Sequence, residues 1–307
     1  MANYVDPMLT QVAKGYRPLG HINEQIMKPL FVKKDSGKIG VYGADGLRIV
    51  SSVKAPEGET PTFRMDVSIA DAYQLVDHAL KTLASDSDKE NQDRPFDTER
   101  DRAEVVTDLL STGREYALAT TMADTAIITQ NTTLSGTGQW GGSADDPLGD
   151  IETAVNIVAD AIGIDVNMVS LVMSKVVFRR LIILPEIRDT IGANYGLGFK
   201  RVTPEMLAMA LGVHQVLIGN AYYNSAEVGQ TDVLAQIWGK HCWAVYIPVR
   251  PKIKELCFGY TVKKKSGIWV DKWYSKDLKG TWVRANDSFD QYLMSAAAAY
   301  LIKNAVA

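Results

Sequence analysis

Hydrophobic and polar positions along the chain change period several times, and each change marks an element. Phe63, Met65, Val67 and Ile69 alternate with Thr62, Arg64, Asp66 and Ser68, the two-residue period of a strand with one apolar face. Upstream, Phe31 and Val32 lead through Lys33–Lys38 into Ile39, Val41 and Tyr42, so the two limbs predict a long hairpin. Between them, Gly43–Pro61 holds Gly43, Gly46, Gly58, Pro56 and Pro61 and too few large apolar groups for a core of its own. Irregular connections longer than about 12–15 residues are uncommon in compact domains, and a two-stranded hairpin alone in water is marginal. Two readings follow. Either this is a plain surface loop, or its apolar residues, Phe31, Ile39, Val41, Tyr42, Phe63, Met65, Val67 and Ile69, lie against another subunit.

Downstream the period becomes helical. Val106, Leu109, Leu110, Tyr116, Ala117 and Met122 fall on one stripe, predicting a helix over 97–125. Asp97 is placed to cap it, with Glu99 and Asp101 favourable in its positive first turn. At 1.5 Å per residue it is about 42 Å long, a structural spine. Before it lies an acidic stretch over 85–101, and the first 30 residues carry Pro7, Gly15, Pro18, Gly20 and Pro29. That density of breakers predicts an extended arm and not a packed element.

After a polar, glycine-rich segment (131–146) short helices and strands alternate. Asp150 is placed to cap a helix on which Ile151, Val155, Val158 and Ile162 share a face; Val169, Leu171 and Val172 predict a strand. Ser174 starts a helix through Phe178 and Leu181 that Pro185 stops, and Thr203-Pro204-Glu205 opens another that runs to Gly212. Strands follow near Gln215–Ile218, Trp243–Ile247, Gly259–Val262, Ile268–Val270 and Thr281–Arg284. Over Tyr292–Ile302 the alanines favour helix, while Tyr300-Leu301-Ile302 fits a buried strand equally well.

Composition narrows the function. The 307 residues are 46% hydrophobic and 22% charged, a globular composition that excludes wholesale disorder. The net charge of −3 is unsuited to gripping nucleic acid through its phosphates. Cys242 and Cys257 are the only cysteines, which supplies no disulfide framework and favours a reducing compartment. The longest apolar run, Ala296–Ile302, is far short of the roughly 20 residues that span a bilayer, so no membrane partner is expected.

Candidate chemistry is thin. Gly136, Gly138 and Gly141 satisfy the dinucleotide expression G-x-G-x-x-G, which requires a preceding strand and a helix N-terminus at its end; here 143–147 intervenes and Trp140 crowds the turn. Asp86, Asp88 and Glu90 resemble the start of a calcium loop but lack its glycine and bidentate glutamate, leaving a solvated acidic loop. His241 and Cys242, adjacent on a strand, point to opposite faces and make a poor nucleophile–base pair. Lys263–Lys265 reads as a solvated hairpin end. No catalytic residue, metal ligand or cofactor is expected, although a soluble α/β enzyme with a glycine-rich active-site loop at 131–146 stays open as the alternative.

The order of these elements resembles the major capsid proteins of tailed bacteriophages. Val5-Asp6-Pro7, the hairpin segment Lys34–Gly40, Leu134-Ser135-Gly136 with Gln139-Trp140, and Asp146-Pro147 carry the resemblance. So do Leu171–Ser174, Gly212-Val213 with Val216–Gly219, Ile237–Lys240 and Phe258–Thr261. The resemblance implies an α+β capsid fold: an N-terminal arm over 1–27, an extended loop over 28–75, and a peripheral domain over 76–150 that holds the spine helix. It also implies an axial domain over 151–249, a return to the peripheral domain over 250–290, and a C-terminal strand over 291–307. It implies self-assembly through pentamers and hexamers into an icosahedral shell in the virion, made in the bacterial cytoplasm. Implied partners are other copies of the chain, scaffolding and portal proteins, decoration proteins, and double-stranded DNA held non-specifically. An encapsulin-like nanocompartment is the alternative with the same fold. Lys38 and Lys54 lie where some relatives cross-link, but no partner asparagine is evident and no cross-link is expected. The arm begins at once, which implies that scaffolding is removed or supplied separately.

Overall fold

Two β-sheets of unequal exposure organise the chain, joined by one long helix. The computed structural model describes residues 4–15, 20–42, 49, 52–54, 58–62, 67–90, 97–195, 202–227, 229–251 and 256–307. The first sheet has the strand order β1-β13-β14-β12-β2: Tyr4–Val5, Trp269–Ser275, Gly280–Leu293, Gly259–Lys264 and Pro29–Val32, with β5 (Val76–Ser85) also paired to β14. β14 is the frame of this sheet. It alternates buried and half-buried residues over its length, with Val283 and Ala285 facing a small core made with Leu9, Ala13, Ala103, Val106 and Val270. The sequence marks only four of its fourteen residues, because Arg284, Asn286, Asp287, Ser288 and Asp290 interrupt the apolar pattern. Polar cross-strand pairs stand in for apolar ones: Arg284 makes a two-pronged ion pair with buried Asp271, its facing residue on β13.

The expected extended arm is corrected over Pro7–Gly15, which forms helix α1. Asp6 accepts from the Met8 and Leu9 N–H groups, satisfying donors that a helix start leaves free, and Leu9 and Ala13 are buried. A short helix, α2 (Asn23–Ile26), follows before β2. Pro7 and Gly15 therefore delimit a packed helix. Lys272 ties the segment down, meeting Asp6 at 2.7 Å and Glu99 at 3.0 Å. Burial raises the pKa of both acids, but hydrogen bonds, led in Asp6 by Lys272 and in Glu99 by Lys89, outweigh it and hold both below the usual carboxylate range.

The acidic stretch contributes α3 (Asp86–Glu90), and the long helix α4 spans Thr98–Ala123. Asp97 caps α4 as expected, accepting from the N–H groups of Glu99 and Arg100. Its buried stripe differs from the predicted one: Ala103, Val106, Thr107, Glu115, Leu118, Ala119 and Met122 face inward, while Leu109, Tyr116 and Ala117 are exposed. The inward face carries a threonine and a glutamate, so hydropathy alone misplaces it.

The second sheet has the order β6-β15-β11-β7-β8: Asn131–Thr133, Ala299–Lys303, Cys242–Tyr246, Val169–Ser174 and Val216–Gly219. β7 and β11 are buried throughout, as strands covered on both faces are. Helix α5 (Pro147–Ile162) packs on β11 and β15, its cap Asp146 and not Asp150, with Gly163 in the left-handed conformation at its end. Ser174 caps α6 (Lys175–Leu181), and Pro185 starts α7 (Pro185–Tyr195) instead of ending a segment. Thr203 caps α8 (Pro204–Leu211), closed by left-handed Gly212. A small ribbon, β9 (Tyr222–Asn224) with β10 (Leu234–Gln236), stands off this sheet. Tyr300–Ile302 is strand, pairing with β11 on one side and β6 on the other: burial between two strands overrides alanine's helix propensity.

Candidate assembly surfaces

The predicted hairpin exists, with changed limits. β3 (Ser36–Tyr42) pairs antiparallel with β4 (Val67–Gln74), separately from both large sheets. Phe31 and Val32 belong instead to β2 in the first sheet. One residue, Leu75, separates β4 from β5, so the ribbon grows directly out of the first sheet. Its base is fastened by Leu75 N–H to the Asp35 carbonyl at 2.8 Å, Gln74 N–H to Asp290 at 3.0 Å, and Lys264 to Asp35 at 2.8 Å. Gly37 lets Tyr73 pack closely there: a Cβ would stand 2.7 Å from the Tyr73 hydroxyl and would have to displace its ring.

The eight residues expected on an intersubunit face divide. Ile39 sits where the ribbon register shifts, between Lys38 and Gly40, and is buried in the main core of its own chain. A residue that its own chain covers is not offered to a neighbour, which corrects the expectation for Ile39. Phe31 is 58% exposed on edge strand β2. In the ribbon register Tyr42 pairs with Val67, Gly40 with Ile69 and Val41 with Ser68; the side chains of Val41, Tyr42, Val67 and Ile69 lie outside the described residues, as do Phe63 and Met65 entirely. Between the two limbs in sequence, Ile49 and Val53 are 103% and 82% exposed.

One buried carboxylate joins the parts. Glu115 of α4 is fully buried; its Oε1 accepts from the Ile22 N–H at 2.9 Å and the Trp238 indole N–H at 2.7 Å, and its Oε2 from the Asn23 N–H at 2.9 Å. Trp238 stands edge-on to Trp243, whose indole N–H donates to the Met122 carbonyl. Thus α4 is bolted to the N-terminal segment and to the second sheet at the same seam. Sequence reasoning passed over Glu115; the signal available was an acid at helical spacing from the apolar Leu118, Ala119 and Met122.

None of the sequence motifs assembles a reaction centre. Gly136–Gly138 is a 3-10 turn, and Trp140 is buried with its indole N–H donating to Asp150 at 2.9 Å. Arg180 donates to the Trp140 and Gly141 carbonyls, filling the place that a Cβ on Gly141 would occupy. A structural loop results. Asp86 accepts from the Tyr274 hydroxyl and lies in α3; among the described residues no group of three or more acids, histidines or cysteines could hold a metal. Burial pushes the Cys242 thiol up to about 12, which leaves it inert at neutral pH. His241 accepts from the Asn304 N–H through Nδ1 at 3.0 Å, and burial, aided by Lys303, pushes its pKa down to about 4. Lys263 is not a solvated hairpin lysine: it is buried in a 2.7 Å ion pair with Glu24. Among the described residues, no helix is long and apolar enough to cross a membrane.

The arrangement as a whole matches known proteins over nearly its full length. A phage-related protein from Bordetella bronchiseptica RB50 superposes with a TM-score of 0.78, at 24% identity and covering 99% of both chains. The capsid protein structure of the cyanophage P-SCSP1u superposes with a TM-score of 0.61, covering 94% of this chain and 89% of that one at 11% identity. This is the tailed-phage capsid fold. In sequence the chain is 27% identical to the major capsid protein of Burkholderia phage BcepMu over 97% of its own length and 95% of the relative's. No family model matches the chain.

Proposed function

We propose that the chain is the major capsid protein of a tailed bacteriophage, the repeated subunit of an icosahedral shell. The observation that carries this is likeness over nearly the whole chain, in sequence to a phage major capsid protein and in fold to a phage capsid structure. On this reading α4 is the spine of a peripheral domain completed by the first sheet, the second sheet is the axial domain, and capsomers are its pentamers and hexamers. The ribbon, with Phe31 at its root, lies on a neighbouring copy. The working chemistry is burial between subunits at about 25 cal/mol per Å2 of apolar area, small per contact and large when every subunit shares it. No catalysis is involved. The subunit is made in the host cytoplasm, meets scaffolding, portal and decoration proteins, and encloses double-stranded DNA without gripping it, which suits a net charge of −3.

Deleting Gly43–Pro61 tests this. The body should keep its melting temperature while closed shells disappear from electron micrographs; shells that form as before would overturn the role given to the ribbon. The DNA content of particles from infected cells separates a virion shell from a protein-loaded compartment.

A further inference from the structure

Helix α4 carries a second apolar stripe that its own chain leaves uncovered. Val105, Leu109 and Tyr116, each about half exposed, recur with the half-buried Thr112 at intervals of four, three and four residues. That period of 3.5 keeps side chains in line along a helix, as the seam of a coiled coil does. The stripe lies apart from both buried faces of α4: Ala103 and Val106 pack in the small core with α1 and the first sheet, while Glu115 and Met122 bond to Trp238 and Trp243. At its far end Tyr116 stands edge-on to Tyr223 of β9, with ring centroids 5.1 Å apart.

Its two borders differ. Along one run Asp101 and Asp108, one heptad apart at positions that flank the seam, where charges set partner choice. Neither has an ion-pair partner among the described residues, whereas Arg100 and Arg102 are taken up by Glu104 at 3.1 Å and Asp88 at 3.6 Å. On the other border, in the interior of α4, stands the exposed Gly113. Glycine is the poorest helix former after proline, and its own chain gives no reason for it: a Cβ there would meet no atom within 4 Å. A bare backbone beside an apolar seam leaves room for another chain to approach closely.

The acids choose between occupants. Nucleic-acid phosphates are repelled by them. A second α4 laid antiparallel would set Asp101 and Asp108 near the same acids, and α6, the basic helix of this chain, has seven residues, too few to follow a seam over 105–116. The apolar area is a few hundred Å2, against about 800 Å2 per partner in a standing subunit interface. We infer that the stripe is the docking site for one amphipathic helix of a separate protein, with apolar residues at the same spacing and lysines or arginines facing Asp101 and Asp108. The inference does not depend on the shell reading, because the surface is present on the free subunit.

The probe is a fluorescent peptide of three heptads with leucine at the seam positions and lysine at the flanking ones, titrated into purified subunit and followed by anisotropy. The same peptide with glutamate for lysine is the control and should bind at least about tenfold more weakly. Leu109→Gln alters an exposed residue; it should leave the melting temperature unchanged and weaken the lysine peptide about tenfold. Asp101→Asn with Asp108→Asn should remove most of the lysine peptide's advantage. Gly113→Ala should raise the melting temperature and yet weaken binding about threefold, a pair of effects that a mere acidic surface does not produce. A lysine peptide that fails to bind, or binding untouched by Leu109→Gln, by the asparagine pair or by Gly113→Ala, would overturn the inference. So would loss of self-association in sedimentation on Leu109→Gln, since the occupant would then be a second copy.

Discussion

Replacing Glu115 probes the seam that holds α4, the N-terminal segment and the second sheet together. Glu115→Ala strands three donors, the N–H groups of Ile22 and Asn23 and the indole of Trp238, all within 2.9 Å of the carboxylate now. Each costs on the order of 1–3 kcal/mol when left unpaired. Relief from holding a charged group in the interior offsets part of that, so the net loss is about 4 kcal/mol, a large share of a stability of about 5–15 kcal/mol. Glu115→Gln keeps one oxygen in place. If that oxygen stays on Ile22 and Trp238, the amide nitrogen faces the Asn23 N–H, and the loss is about 2 kcal/mol. The assay is urea unfolding of the purified subunit followed by tryptophan fluorescence, with hydrogen exchange at the Ile22 and Asn23 amides as a local readout. Both amides should lose protection in the alanine variant before the sheets do. An alanine variant within about 1 kcal/mol of wild type, with those amides still protected, would refute the claim that this carboxylate is the bolt.

Three further outcomes follow from individual residues. Asp97→Ala removes the cap of α4 and should cost about 1 kcal/mol in urea unfolding, whereas Asp150→Ala, expected from sequence to uncap α5, should spare that helix's start because Asp146 performs the task. His241, with a folded pKa of about 4 against 6.5 in the open chain, binds its proton only on unfolding between those values. Stability should therefore fall by about 2 kcal/mol, discounted for partial exposure, as pH drops from 6.5 towards 4, and His241→Gln should flatten that slope in denaturation curves across the window.

Elements with a strong local signature were legible in advance. The Asp97 cap, the Thr203-Pro204-Glu205 start, the β7 and β11 strands and the existence of the ribbon all follow from short-range pattern and chain chemistry. What escaped depends on distant partners. Pro7–Gly15 reads as broken chain until Val270 and Ala103 supply a surface for Leu9 and Ala13. The inward face of α4 is misread because Glu115 and Thr107 are paid for by hydrogen bonds that hydropathy does not register. β14 is hidden by polar residues whose partners lie across strands. Of the residues expected at an intersubunit face, Phe31 is exposed on its own chain, while Ile39 is drawn inward where the register slips, an event that no two-residue alternation announces.

The most direct measurement is a cryo-microscopy density map of particles assembled from the intact chain. It should show a closed shell in which the segment between Tyr42 and Val67 of each subunit rests on the body of its neighbour. A map with that segment folded back on the subunit that carries it, or a chain that stays monomeric at every concentration, would contradict the account.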